Sequence, residues 1–536
     1  MSQQGSGPPP NTAPPAHNPP ADAIAACRAR IAADPADTTA RSRLIDLLRE
    51  TGRLEEAQAE CRALTVLQPG NVDAWIALGG MLIDLQRPVE AEAQLNRGLA
   101  YPARASAKAA IHMLLGLAQR RQRRDAEALR NYDLAYALDP TLPELDIHRA
   151  EAFQNLRRYE DAIATYRQAI AREPHNPDTH RHYNDLLYRL GRTGDFLKSY
   201  ELGPRTPALL MGKAQLLNHQ SRFAEAYASY GEALARDPGN VGDMLGAVES
   251  LRGMKRYDEA AEALGLLLRH RGDDPFLVAR AAEVALLQRD PKTAATLCER
   301  GLRAAPYDQS CLVGLSLAWR MLGDARDEIL SGYDRYIRAF DLKAPDGFSS
   351  MADFNAELSR YLDALHPDTR EYINQSLRGG TQTPDHVFGV GHELIDRLER
   401  RIAEAVQTYI AGLEGHDAHP LVSRRAQSFL YRGSWSSQLK ANGFHVNHVH
   451  PHGWISSCYY VAVPDAAQDM QGRQGWIKFG EPGLDVSLDD PIRRMVQPVP
   501  GRLVLFPSYM WHGTVPFRDD AKRTTIAFDV IPQPAL

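Results

Sequence analysis

The chain has 536 residues, 44% of them hydrophobic and 24% charged, with a net charge of −5. That length exceeds what a single core ordinarily serves, so two or more domains are expected. The mildly acidic balance offers no basic field for nucleic acid or an anionic membrane, and no run of 18 apolar residues is present to span a bilayer.

The first stretch, "MSQQGSGPPPNTAPPAHNPPAD", is rich in Pro, Gly and Asn. It lacks the basic and apolar regions of a secretory leader and reads as a disordered or polyproline II tail over residues 1–23. Five cysteines, Cys27, Cys61, Cys298, Cys311 and Cys458, form no CxxC pair. This argues against a thiolate zinc site or a disulfide framework and fits a reducing compartment, so a cytoplasmic protein is expected.

The next 300 or so residues are periodic. Prolines fall at Pro35, Pro69, Pro102, Pro140, Pro174, Pro204, Pro238 and Pro306, separated by 34, 33, 38, 34, 30, 34 and 68 residues. Alanines run in phase at Ala57, Ala128, Ala162, Ala226, Ala260 and Ala294. The segments "RRYEDAIATYRQAIAREPHNP", "SRFAEAYASYGEALARDPGNV" and "KRYDEAAEALGLLLRHRGDDP" share one template. An aromatic and acidic residues precede the alanine, apolar residues follow at helical spacing, and a turn closes the unit. Upstream halves such as "ALLMGKAQLLNHQ" form a second amphipathic helix. The small alanine lets the two helices approach closely. This pattern resembles the tetratricopeptide repeat, with about nine units over residues 24–342. The resemblance implies a superhelix that binds a protein or peptide, or serves as a scaffold or dimerisation surface. The oligomeric state is left open.

After "AFDLKAPDGFSS" the repeat stops. "MADFNAELSRYLDAL" and "VGHELIDRLERRIAEAVQTYIAGL" still read as helices. Strand signals then take over in "RAQSFLYRG", "ISSCYYVAVP", "GWIKFG", "GRLVLFPS" and "RTTIAFDVIP". Short strands behind two covering helices suggest a sandwich or jelly roll over residues 345–536.

Four histidines crowd "HVNHVHPHGW": His445, His448, His450 and His452. A further one, His512, follows His450 after a gap of 61 residues, and Arg523 follows at the start of the last strand. A pair at i and i+2 with a distant third histidine can hold a metal and leave one coordination face open. Arginine deeper in the barrel can grip a carboxylate, and Thr525 shares its strand face. If these residues form one centre, the nitrogens of His448, His450 and His512 converge within about 3–4 Å of a point.

This order resembles the 2-oxoglutarate and Fe(II)-dependent dioxygenases, closest to their prolyl-hydroxylase-like branch. The carrying phrases are "SLRGGTQT", "GFHVNHVHPHGWISSCYYV", "GWIKFGEP" and "GRLVLFPSYMWHGTVPF". The resemblance implies a double-stranded β-helix, with His448 and His512 on the metal and Arg523 on the cosubstrate. Thr525 would join Arg523, and Tyr460 matches a tyrosine that bonds the cosubstrate carboxylate in some relatives. The function implied is hydroxylation of a protein or peptide recruited by the repeats. One position departs: His450 stands where the family keeps Asp or Glu. Either His450 ligates, or water or chloride fills that position, or the centre is inactive. The competing functions are a scaffold with a degenerate oxygenase domain and a three-histidine iron dioxygenase that needs no 2-oxoglutarate.

Strand alternation places His445 opposite His448, either at the surface or in support just behind the metal ligands. His452 is expected at the mouth or in solvent, Asp529 as a buried structural carboxylate or a metal ligand supplied from the last strand, and Trp454 and Trp511 beside the mouth, against substrate or packed in the core or a lid.

Overall fold

Most repeats begin with a helix capped by a side chain, and the caps explain why those helices start where they do. The computed structural model describes residues 19–192, 194–366, 371, 375–384 and 386–533. Most of the proposed tail, residues 1–18, lies outside these, while residues 19–23 are already helical in α1 (Pro19–Ala33). The paired helices that follow are α2 (Thr38–Glu50) and α3 (Leu54–Leu67), α4 (Val72–Asp84) and α5 (Pro88–Leu99), α6 (Ala105–Arg121) and α7 (Asp125–Leu138), and α8 (Leu145–Asn155) and α9 (Tyr159–Arg172). They continue as α10 (Pro177–Arg189) and α11 (Lys198–Leu202), α12 (Pro207–His219) and α13 (Phe223–Arg236), α14 (Val241–Gly253) and α15 (Tyr257–Arg271), and α16 (Pro275–Leu287) and α17 (Pro291–Ala304). The last members are α18 (Gln309–Leu322), α19 (Arg326–Ser331) and α20 (Tyr333–Tyr336). The side chains of Asp37, Asn71, Asn176, Asn240, Asp274 and Asp308 cap first helices by accepting from backbone N–H groups.

The in-phase alanines do what their size allows. Ala57, Ala128, Ala162, Ala226, Ala260 and Ala294 are each 0% exposed. A second period is invisible in residue type. One left-handed residue per unit turns the first helix into the second: Gly52, Gln86, Arg123, Arg157, Gly191, Ser221, Lys255, Arg289 and Gly323. Only three of these nine are glycine, so the turn geometry is imposed by helix packing rather than by local freedom.

The chain separates into two compact units, one ending at His148 and one beginning at Arg149. The first contains α1 to α7 with cores around Leu44, Leu48, Trp75 and Leu78, and around Leu95, Ile111 and Leu115. The second contains the later repeats and the β-rich region.

That region opens with β1 (Arg338–Asp341), α21 (Met351–Ala364), β2 (Leu377–Gln382) and α22 (Glu393–Ala411). Then come β3 (Phe429–His445), β4 (Ile455–Ala462), β5 (Ile477–Phe479), β6 (Arg494–Val496), β7 (Arg502–Pro507), β8 (His512–Thr514) and β9 (Arg523–Pro532). Two antiparallel sheets result, with orders β1-β7-β4-β9-β3-β2 and β6-β5-β8. Four short strands, β1, β2, β6 and β8, carry no strand signal of their own, and β3 runs well past the predicted segment. β4 is buried on both faces because helices cover one side: Tyr459 Oη donates to Asn355 Oδ1 of α21 at 2.7 Å. Phe354, Ile402 and Val406 of the covering helices share one core with Leu503, Phe506 and Phe528 of the sheet. Leu312 and Val313 of α18 belong to that same core, so the last repeat is fused to the β-rich region.

A strap strengthens this junction. Between β5 and β6, residues 480–491 cross the first helices of the last repeats without regular secondary structure. Leu484, Val486 and Leu488 pack on a cluster containing Ala279, Ala282, Leu317 and Ala318 of α16 and α18. Arg320 donates to the carbonyls of Gly480 at 2.6 Å and Pro491 at 2.9 Å, and also to that of Asp490. At its near end, the strap's Glu481 accepts from Asn447 Nδ2 at 3.0 Å, beside His448.

Candidate metal centre

His448 and His512 meet across an isolated antiparallel bridge. His448 N donates to His512 O at 2.9 Å and His512 N to His448 O at 3.0 Å. Each ring is then locked in the same way. His448 Nδ1 donates to Val446 O at 2.8 Å, and His512 Nδ1 to Met510 O at 3.0 Å. A carbonyl can only accept, so the proton sits on Nδ1 and each Nε2 carries a lone pair. His450 is held from the other side: its Nδ1 donates to Asp529 Oδ1 at 2.6 Å, and its Nε2 lies 3.2 Å from His448 Nε2. Ligand atoms of the three histidines all lie within 4.8 Å of one another. Burial, then the neighbouring His450, hold His448 down at about 3. Burial, then His448 and His450, hold His512 well below the usual histidine range. Lone pairs facing one another without a donor between them form a site that a cation would satisfy.

The same cavity, of about 640 Å³, continues along β9. Arg523, Thr525, Ala527 and Asp529 all line it, as period-2 alternation requires. Trp435 and Ser437 of β3, Gln382 of β2 and Cys458 of β4 complete this end. Arg523 is 1% exposed, and its Nε and Nη2 find no hydrogen-bond partner among the described residues. A buried guanidinium without an acid beside it is costly, and an anion entering the cavity would relieve that cost. Tyr460 is also fully buried with a hydroxyl lacking a partner, and the guanidinium carbon of Arg523 stands 5.0 Å from its ring centroid. Tyr460 lies behind Arg523 rather than among the lining residues.

Several expectations are corrected here. His445 does not face the surface. Its ring sits in the cavity wall, 6.1 Å from that of His448, with Nδ1 3.2 Å from Ser376 Oγ. Burial, then His448 and Arg523, push His445 well below the usual range. Alternation fails because β3 ends at His445 and the chain turns before His448. Trp454 is a 1% exposed core residue donating to Leu421 O at 3.0 Å, and Trp511 backs onto Gly483 of the strap. Neither lines the cavity. Asp529 is more than structural filler, since it is the acceptor for His450. His452 is exposed at the rim, as expected. Sequence reasoning missed Arg378, Ser376 and, from repeat helix α12, His219, all of which line the cavity. Ser376 and Arg378 fall in the phrase "SLRGGTQT" quoted above, whereas no motif announces His219.

Comparison with known proteins adds a family. Residues 433–529 match the model described as "Putative 2OG-Fe(II) oxygenase". Tetratricopeptide repeat models match residues 16–72, 43–108, 148–202 and 217–283. The chain thus carries helical repeats followed by an oxygenase-like region, and the three clustered histidines fall inside the second. Among curated proteins no relative matches. Solved structures similar to the repeats include a tetratricopeptide repeat protein from Parabacteroides merdae, at 17% identity over 46% of this chain and 98% of that one, with a TM-score of 0.31. Yeast Tom70 matches at 13% identity over 58% and 93%, with a TM-score of 0.32. The Cut9–Hcn1 assembly of the APC/C matches at 20% identity over 53% and 56%, with a TM-score of 0.29, so the chain spans about half of that relative. Among the described residues no helix is long and apolar enough to cross a membrane.

Proposed function

We propose that the chain is an Fe(II)- and 2-oxoglutarate-dependent dioxygenase that hydroxylates a protein or peptide recruited by its repeats. The observation that carries this reading is the buried guanidinium of Arg523, without an acid partner among the described residues, in one cavity with three converging imidazoles. His448, His450 and His512 would hold the metal, each ring anchored through its Nδ1, and burial keeps His448 and His512 neutral so that their lone pairs are available. Arg523 would bind the far carboxylate of 2-oxoglutarate, with the Thr525 hydroxyl beside it and Tyr460 supporting the guanidinium from behind. When bound, the metal and cosubstrate would supply the oxidation: one oxygen atom enters a substrate C–H bond and the other enters succinate, with loss of CO2.

The remaining walls divide the labour. Phe506 and Ile477 close the apolar side of the cavity and exclude water. His219, Arg378 and His452 border its approach. His219 belongs to a repeat helix, which supports a substrate that touches repeats and cavity together. The reading divides the chain into repeats over residues 24–342 and an oxygenase domain over 345–536.

The test is anaerobic. Fe(II) followed by 2-oxoglutarate should give a metal-to-ligand charge-transfer band, and admission of oxygen should release succinate. A protein that binds Fe(II) but shows neither band nor succinate would be a three-histidine centre of another kind. A protein that binds no metal would be a scaffold.

A further inference from the structure

The second position of the His-x-His pair raises a charge problem. Three neutral imidazoles neutralise none of a divalent cation's charge, and the site sits among buried groups where that charge is expensive. The acid that can compensate is Asp529, which lines the same cavity and is joined to the histidine cluster through His450. Asp529 Oδ1 accepts from His450 Nδ1 at 2.6 Å, and both side chains are about seven-eighths buried, at 13% and 12% exposure.

The carboxylate is built in from several sides. Asp529 sits on β9, paired in register with Ser456 of β4 and Gly433 of β3. Ser456 Oγ donates to the same Oδ1 at 2.6 Å and lies 2.9 Å from Ser508 Oγ. The backbone N–H of His450 donates to Ser508 O at 3.0 Å. One small network therefore fixes both the acid and the imidazole. It aims His450 Nε2 at the point faced by His448 and His512.

We propose that Asp529, acting through His450, is the carboxylate of this metal centre. Where related oxygenases place an acid on the metal, this chain has moved the acid outward by one imidazole and joined the two by a hydrogen bond. A carboxylate on Nδ1–H raises the electron density at Nε2, fixes the ring tautomer and supplies a full negative charge close to the cation. Asp529 is thus a positioning and charge-supplying residue that need not touch the metal. The proposal rests on the metal-centre reading and divides it into two separately testable parts.

Metal affinity measured by anaerobic calorimetry with Fe(II), and with Co(II) as a spectroscopic probe, tests both. The unmodified protein should bind one ion. Asp529→Asn keeps the shape and an acceptor oxygen but removes the charge, so it should weaken affinity about 10- to 100-fold and shift the Co(II) d–d bands. In a His450→Ala background the same substitution should cost nothing further, because its route to the metal is gone. An Asp529→Asn protein that binds both ions like the unmodified protein overturns the proposal. So does a loss that persists undiminished beside His450→Ala. Failure of the unmodified protein to bind either ion would instead overturn the metal-centre reading. Should Asp529→Asn not fold, proton NMR of the unmodified Zn(II)-loaded protein decides. A strongly deshielded imidazole N–H resonance, lost in His450→Ala, is expected, and its absence refutes the Asp529–His450 link.

Discussion

Arg523 combines two properties that a structural arginine rarely has together: almost complete burial and no acid partner among the described residues. Desolvating a cation without pairing it costs stability, so replacing it with a neutral side chain of similar length should not harm the fold. Arg523→Met is expected to melt at the same temperature as the unmodified protein or higher when 2-oxoglutarate is absent. The same variant should lose at least about 30-fold in 2-oxoglutarate affinity, since truncating a buried charge partner costs at least ~2 kcal/mol. Fe(II) affinity should be unaffected. A fall in melting temperature without any change in 2-oxoglutarate binding would reassign Arg523 to the core. Other single residues show where sequence reading ends. That His448, His512, Arg523 and Thr525 share one cavity was legible because order and alternation carry it. His445 was misread because alternation presumes an unbroken strand, and β3 stops there. The role of Asp529 depends on β4–β9 register, which no spacing in the sequence specifies.

At the scale of elements, the repeat helices were readable and the strap was not. Prolines and alanines recur in phase, and each alanine marks a crossing where a side chain would collide. Ala260→Leu should therefore overpack the α14–α15 pair and cost about 1–3 kcal/mol, read from thermal or denaturant unfolding. The strap has no period and no regular secondary structure, so its place on α16 and α18 arises only from tertiary packing. Three carbonyls converge on Arg320 there. Arg320→Ala should lower stability by about 2 kcal/mol, less than three full charge-assisted bonds because the site is partly exposed. Hydrogen exchange should rise at residues 480–491 and at Asn447, while helices α2 to α5 stay unchanged. Five strands, β3, β4, β5, β7 and β9, were legible from composition, although β5 has only three residues. The short strands β1, β2, β6 and β8 have three to six residues each, too few to show alternation.

Across the whole molecule, burial keeps many histidines neutral. It holds His180, His182, His392, His419, His445, His448 and His512 below their usual range. Their folded values are depressed, so below the ordinary histidine value of ~6.5 the unfolded chain binds protons that the fold refuses. Stability is therefore fully present above pH ~6.5 and declines as pH falls toward the folded value of His448, about 3. The melting temperature of the metal-free protein should fall steadily between pH 6.5 and 4.5, and a flat profile would contradict these burial shifts. The strap has a further consequence, one of competition. A segment of the chain's own already occupies the first helices of the last repeats, and a tethered segment acts at an effective concentration on the order of millimolar. A free peptide resembling residues 481–491 would have to displace it, so micromolar peptide should not bind the intact protein. Leu484→Asp with Leu488→Asp should vacate that surface and let the same peptide in. Occupancy by its own residues thus leaves external polypeptides the earlier helices, among them α12, whose His219 already borders the cavity.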